Sequence, residues 1–267
     1  MDAEPDKPGE YVEGLARGIA ILESFDVGHP EMTLSDVARR CGLSPAAARR
    51  GLLTLVALGY VGQRDKRFHL RPKVMSLGST FYFSARIGEA LQPELRSLVE
   101  TFGDAASIGT LDGADVVYIA SVSVQRARRA AAVIGARYPA HATSIGRVLL
   151  AGLPPEELDA HLASGGFERL TSKTVCDPCA LRAEIANVRE EGFSTTVDQL
   201  DYGITALAVP IRGADGRWIA GLNTSGYTGM VTPEELVEER LPQLRATASR
   251  IGAAIAATPV IETIIGT

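Results

Sequence analysis

Cysteine is scarce in this chain. Its three residues, Cys41, Cys176 and Cys179, are too few for the disulfide framework of a secreted domain, and the one close pair is a C-x-x-C without a second half. A structural zinc site needs four ligands and no nearby cysteine or histidine completes that pair, so a reducing compartment is expected and a metal is not. Long apolar runs are absent too. No stretch reaches the roughly 18 residues that cross a bilayer, and Met1 to Gly9 is acidic and polar rather than basic and then apolar. These absences point to a soluble, cytoplasmic chain with no membrane partner. Catalytic signatures are missing as well: there is no G-x-S-x-G elbow and no G-x-x-x-x-G-K phosphate loop, and His29, His69, His141 and His161 are scattered. A hydrolase would have to use Ser144 or Cys176 as nucleophile with one of those histidines. The expectation is a chain with no catalytic residues and no cofactor.

What is present is an uneven charge. The net charge of -5 conceals a segment, Met32 to Lys73, with nine Lys/Arg against Asp36 and Asp65, which makes it +7 and leaves the remainder at -12. A basic footprint belongs on the part that meets phosphates, and an acidic remainder limits indiscriminate sticking. At 267 residues and 46% hydrophobic content, two modest domains are expected.

Val12, Leu15, Ile19, Leu22 and Phe25 recur at steps of three and four and predict a first helix with that face toward a core. Thr33 is placed to cap a short second helix with Leu34, Val37, Ala38 and Cys41 inward, ending at Gly42. After the turn Gly42-Leu43-Ser44, Ser44 as N-cap and Pro45 at the first helical position start a third helix. Ala48, Leu52, Leu55 and Leu58 or Gly59 form its buried stripe, leaving Pro45, Ala46, Ala47, Arg49, Arg50 and Leu53 outside. Small residues at a helix start permit close approach to a major groove, and an arginine there can pair bidentately with guanine. Tyr60–Gln63 and Phe68–Arg71 read as two strands around Arg64-Asp65-Lys66-Arg67, a wing whose cations would lie along a sugar-phosphate backbone. The expected DNA-contacting set is Thr33, Ser44, Pro45, Ala46, Ala47, Arg49, Arg50, Arg64, Lys66 and Arg67. The plainer alternative is a three-helix packing module with a solvated basic face.

Beyond this, Val74, Leu77, Phe81 and Ile87, with the bulky Tyr82 and Phe83, suggest an apolar connecting helix over 72–88. Ala105–Leu111 and Val116–Val122 flank Asp112-Gly113 as a hairpin, and Ala206–Ile211 pairs with Trp218–Ser225 through Gly213–Gly216. Helices are expected at Ser144–Ala151, at Pro155–Leu162, from Asp177-Pro178 to Glu191 with Gly192 closing it, and from Thr232 onward. Hairpins separated by helices argue for an α+β fold with a mainly antiparallel sheet. The last segment, 259–267, shows no partner pattern and is expected to be a loose tail. Ser144-Ile145-Gly146 follows a loop and opens a helix, so its amides and the positive helix end suit a carboxylate. The alternatives are that Ser144 is only an N-cap, and that Asn223 and Ser225 alternate outward on a strand.

The stretches VEGLARGIAILESF, TLSDVARRCGLSPAAARRGLLTLVALGYV, PAHATSIGRVLLAGL and GITALAVPIRGADGRWIAGLNTSG resemble the IclR-type bacterial regulators in order and across both domains. AAARR and GRVLLAGLP are most similar to the branch controlling protocatechuate and 4-hydroxybenzoate catabolism. Gly51 departs from that branch, which has a large apolar residue there, and a glycine inside a helix costs about 0.5 to 1 kcal/mol relative to alanine. The resemblance implies a winged helix-turn-helix over 10–72, a linker helix over 73–89 that helps pair subunits, and a GAF-like effector domain over 90–258. It implies a homodimer or tetramer on a double-stranded, palindromic operator and a small carboxylate effector. Matched residue by residue, it places Ser144, Ile145, Asp198, Ala206, Asn223 and Ser225 at the pocket. Val197 to Gly203 is one residue short of the pattern, so either Asp198 or Asp201 faces that pocket, and Ala206 stands where some relatives have cysteine. The leading expectation is an effector-responsive transcription regulator of an aromatic-acid operon. The alternatives are a regulator sensing a non-aromatic metabolite such as glyoxylate, and an enzyme carrying a DNA-targeting module; a ligand recovered unchanged separates the regulators from the enzyme.

Overall fold

The computed structural model describes residues 10–84, 87–124 and 133–265. Met1 to Gly9, residues 85–86 of the expected linker and the last two residues of the expected tail lie outside them. The chain divides into two compact units, Met1–Thr80 and Phe81–Thr267.

In the first unit, α1 (Glu13–Glu23) is followed by β1 (Glu31–Thr33), α2 (Leu34–Arg40), α3 (Pro45–Ala57), β2 (Val61–Arg64) and β3 (Arg67–Leu70), with the strands ordered β1-β3-β2. Thr33 forms a capping box with Asp36, and Ser44 accepts from the Ala47 N–H at 3.2 Å with Pro45 opening α3. Ala48, Leu52 and Leu55 are buried as the spacing predicts, whereas Leu58 is 52% exposed. The core face of α1 differs from the expected one. Val12, Leu15 and Ile19 are 64%, 65% and 48% exposed, and Ile21 is the buried residue. The cause lies in α3: a Cβ on Gly51 would stand 2.5 Å from Ile21 Cδ1, so the missing side chain there seats Ile21 and rotates the three-four stripe outward. Gly51 is thus a packing feature, and the half-buried Leu22 and Phe25 complete that core.

Beyond a 3-10 turn (Pro72–Val74), α4 (Met75–Ser84) carries Met75, Leu77, Phe81 and Phe83 exposed. Ile87 is the first described residue of α5 (Ile87–Phe102), whose extent beyond Gly88 the sequence did not suggest, and it is fully buried.

The second unit is built on a six-stranded sheet ordered β6-β5-β4-β9-β8-β7, every neighbouring pair antiparallel. Its strands are β4 (Ala105–Asp112), β5 (Asp115–Ser123), β6 (Arg137–Pro139), β7 (Ser194–Val197), β8 (Ile204–Arg212) and β9 (Trp218–Tyr227). Between β6 and β7 lie α6 (Ser144–Gly152), α7 (Pro155–Ser164) and α8 (Pro178–Glu191); Asp177 caps α8 and Gly192 ends it in the left-handed conformation. After β9, α9 (Pro233–Glu235) leads through a π turn (Leu236–Arg240) to α10 (Leu241–Ala256). The expected loose tail is instead α11 (Pro259–Ile265), with Ile261 and Ile265 buried in the core. Isoleucines at i and i+4 share a helix face, which was the signal available in the sequence.

Two apolar layers sandwich the sheet. Ala106, Ile108, Ala120, Leu207 and Leu222 pack with α5, α10 and α11 on one face. Val116, Tyr118 and Ala208 pack with α6, α7 and α8 on the other. A π turn sits where Arg240, almost wholly buried, reaches Asp104 at 2.9 Å and Thr224 Oγ1 at 3.1 Å, holding α10 to the sheet.

Candidate functional site

The first unit presents a cationic surface. Ser44, Pro45, Ala46, Arg49 and Arg50 are exposed and Ala47 half-buried at the N-terminal part of α3, and Thr33 is half-buried at the start of α2. The hairpin of β2 and β3 is tighter than expected: Arg64 pairs with Arg67 and the turn is only Asp65-Lys66, with Asp65 held at φ 54. Arg49, Arg50, Arg64 and Lys66 form no ion pair with a described residue, while Arg67 reaches the Glu31 carbonyl at 3.5 Å. The neighbouring basic pair is committed differently, Arg39 to Asp36 at 2.8 Å and Arg40 to Asp26 at 2.5 Å. Among the described residues of the first unit, the cations on α3 and at the wing turn are thus left without an ion pair.

The second unit hides its polar groups. On the sheet face toward α6, the cross-strand register aligns Ser194, Ala208, Asn223, Ser107 and Ser121 in one row, and Thr196, Ala206, Ser225, Ala105 and Ser123 in the next. The apolar cluster on this face stops at Tyr118 and Ala208. Beyond it the floor is polar yet shielded, with Ser107 3%, Asn223 6% and Ser225 4% exposed. The outward alternation of Asn223 and Ser225 is thereby excluded.

Over this floor lies α6. A Cβ on Gly221 would stand 2.7 Å from Ile145 Cγ2, and one on Gly152 would stand 2.7 Å from Trp218 Cβ. The helix thus runs along β9 with its N-terminus toward Asn223 and Ser225. Its cap is Thr143, whose Oγ1 accepts from Gly146 N–H at 3.0 Å, and not Ser144. Ser144 is the first helical residue, 1% exposed, and its Oγ has no hydrogen-bond partner; Ser194 Oγ, 2% exposed, has none either. A buried hydroxyl without a partner carries a desolvation penalty and calls for an explanation such as a ligand. Gly146 permits this arrangement, since a Cβ there would meet Ala140 O at 2.1 Å.

The loop between β7 and β8 is locked at its side of the site. Asp198, at φ 54, accepts from Gly203 N–H at 2.7 Å and from Thr228 Oγ1 at 2.8 Å, and its carbonyl accepts from Thr171 Oγ1 at 2.6 Å. Asp201 is exposed, whereas Asp198 is half-buried and its carboxylate is spent within the loop, on Gly203 N–H and Thr228 Oγ1. Arg147, which the sequence reading passed over, is buried on α6 and binds the His141 carbonyl at 3.0 Å, Gln199 Oε1 and Glu184 at 2.5 Å. Desolvation pushes its pKa down and Glu184 opposes that shift. This network ties the start of α6 to the loop and to α8. Ser107, Ser121, Ser194 and Thr196 were also missed, because only the long-range register places them beside Asn223.

Cys41, Cys176 and Cys179 are free, and Cys176 Sγ donates to the Thr174 carbonyl at 3.5 Å. Among the described residues no group of three His, Cys, Asp or Glu side chains could hold a metal ion, and no helix is long and apolar enough to cross a membrane.

Comparison with known proteins matches residues 14–65 to the IclR helix-turn-helix domain and residues 81–253 to the bacterial transcriptional regulator IclR C-terminal domain. The chain is 36% identical over 238 residues to the Pca regulon regulatory protein of Pseudomonas putida, covering 89% of this chain and 82% of that protein. It is 34% identical to the p-hydroxybenzoate hydroxylase transcriptional activator of Acinetobacter baylyi, covering 93% and 94%. Among solved structures, an IclR homolog from Microbacterium hydrocarbonoxydans complexed with 4-hydroxybenzoate is 28% identical, with a TM-score of 0.74 and coverage of 91% and 99%.

Proposed function

This chain belongs to the IclR family of bacterial transcriptional regulators, and on that premise we propose that it controls an aromatic-acid catabolic operon by binding a small aromatic carboxylate beneath α6. The observation that carries the reading is the shielded polar floor of Ser107, Asn223 and Ser225 under a helix N-terminus whose first residue, Ser144, keeps an unpartnered buried hydroxyl. The Ser144 and Ile145 amides and the helix dipole favour the carboxylate, and Asn223 and Ser225 meet the remaining polar atoms, with Ala206 as a non-polar contact. Asp198 holds the adjoining loop. The likeness to a Pca regulon regulator and to an activator of p-hydroxybenzoate hydroxylase, together with the 4-hydroxybenzoate bound to an IclR homolog, supports an aromatic acid.

In the first unit, Arg49 and Arg50 read base edges from α3, with Pro45, Ala46 and Ala47 permitting the approach and Thr33 and Ser44 placed at helix starts beside the backbone. Arg64, Lys66 and Arg67 contact phosphates. A homodimer on a palindromic operator fits the exposed apolar stripe of Tyr11, Val12, Leu15 and Ile19, a face that a second copy would cover. The working compartment is the cytoplasm, and the domain division follows 10–72, 73–89 and 90–258, with the C-terminal helix added to the last.

Operator affinity measured with and without protocatechuate and 4-hydroxybenzoate tests the proposal. One of these acids is expected to change the affinity and to be recovered unchanged. Indifference to both acids contradicts an aromatic-acid regulator, and turnover of either contradicts regulation by binding.

A further inference from the structure

We infer that the Ser107–Ser121 hydroxyl pair is the specificity-determining element of the effector site, reading a hydroxyl group on the ring of the bound acid. The inference rests on the aromatic-acid reading above. Ser107 lies on the same face as Asn223 and directly opposite it across β4 and β9, and Ser121 lies one strand further. From Asn223 to Ser121 is therefore two strand spacings, roughly 10 Å, a span that accommodates a single aromatic ring lying over the floor. A ring whose carboxylate sits at the start of α6 extends its far edge over these strands.

The hydrogen-bond inventory singles out this pair. Asn223 Oδ1 accepts from the Ser107 backbone N–H at 3.1 Å, so what its side chain can offer a ligand is the donor NH2. Ser107 Oγ and Ser121 Oγ lie 3.0 Å apart, and either can be the donor. Together two hydroxyls carry two protons, and their mutual bond uses one. The pair keeps one donor and spare lone pairs, so it can accept the proton of a phenolic hydroxyl and donate back to its oxygen. A ring bearing hydrogen at that position can do neither, and leaves the remaining donor of the pair facing an apolar edge.

Calorimetric titration of the full-length protein with benzoate and with 4-hydroxybenzoate tests the assignment. Wild type is expected to prefer 4-hydroxybenzoate by about tenfold, the size of one net hydrogen bond. Ser121→Ala should reduce that preference to within about twofold while benzoate affinity holds, and Ser121→Thr should restore it. Ser107→Ala is the second variant, and a melting curve for each shows that it folds. A preference that survives in both alanine variants, or is absent from wild type, overturns the assignment while leaving the aromatic-acid reading intact. If neither acid binds wild type, the aromatic-acid reading falls and the role of the serine pair falls with it.

Discussion

In the first unit the side chains assigned to DNA stand in solvent: Arg49, Arg50, Arg64 and Lys66 are exposed and unpaired among the described residues. In the second unit the polar groups assigned to the effector are almost wholly buried, with Ser144 at 1% and Asn223 at 6% exposed. The contrast follows from the two ligands. A phosphate backbone is read from outside by charges that cost little to leave hydrated, whereas a small acid is discriminated by donors that have been removed from water and placed in advance. Substitutions in the first unit should therefore alter binding with little effect on folding, while some in the second alter both.

The largest effect should come from Gly146→Ala, which drives a Cβ to 2.1 Å from the Ala140 carbonyl oxygen, a backbone atom that cannot step aside. Overpacking of this kind is expected to cost about 3 kcal/mol, or roughly 10 °C in melting temperature, and to abolish the effector response. A thermal melt matching wild type would break the claim that α6 is held by close packing.

On the opposite side of the comparison, Arg49→Ala and Arg50→Ala should each weaken operator binding by about 1 to 3 kcal/mol without moving the melting temperature. Unchanged operator affinity in both variants removes α3 as the reading helix. A smaller loss, about 1 to 1.5 kcal/mol of effector affinity, is expected for Asn223→Ala and for Ser225→Ala, with unliganded operator binding preserved. Competitive gel-shift titration, with and without effector, separates the two properties.

The smallest effect concerns pH. Burial lowers the pKa of His141, against the Glu168 carbonyl, which favours its charged form; burial and then the neighbouring His141 lower that of His161. The unfolded chain takes up these protons near about pH 6.5, and the folded chain only further down, so stability is lost as the pH falls through that window. Melting curves from about pH 7.5 to about pH 5.5 should show this slope, and His161→Gln should make it shallower. A slope unchanged by the substitution assigns the effect to other groups.

Much of the architecture was legible because caps and turns act locally. Thr33 with Asp36, Ser44 with Pro45, and Asp177 with Pro178 each announce a helix start within four residues. What failed depended on a distant partner. The stripe on α1 was visible, but which face turns inward is decided by Ile21 meeting Gly51 thirty residues on. Thr143 and Ser144 are equally good caps in sequence, and the preceding Ala140–Ala142 turn settles which one acts. The Ser107–Asn223 contact joins residues 116 apart, and no local pattern aligns strands across that separation. The six effector positions taken from family resemblance fall on α6, the locked loop and the polar floor, and the serines beside them emerged only from the register.

The most direct measurement of the central claim is calorimetric titration of the full chain with 4-hydroxybenzoate and protocatechuate beside their methyl esters. Esterification removes the charge while keeping the ring and its hydroxyls, so it isolates the helix N-terminus of α6 as the anion site. At least one acid should bind, with its ester weaker by about tenfold or more. Equal affinity for acid and ester would contradict a carboxylate held by the Ser144 and Ile145 amides.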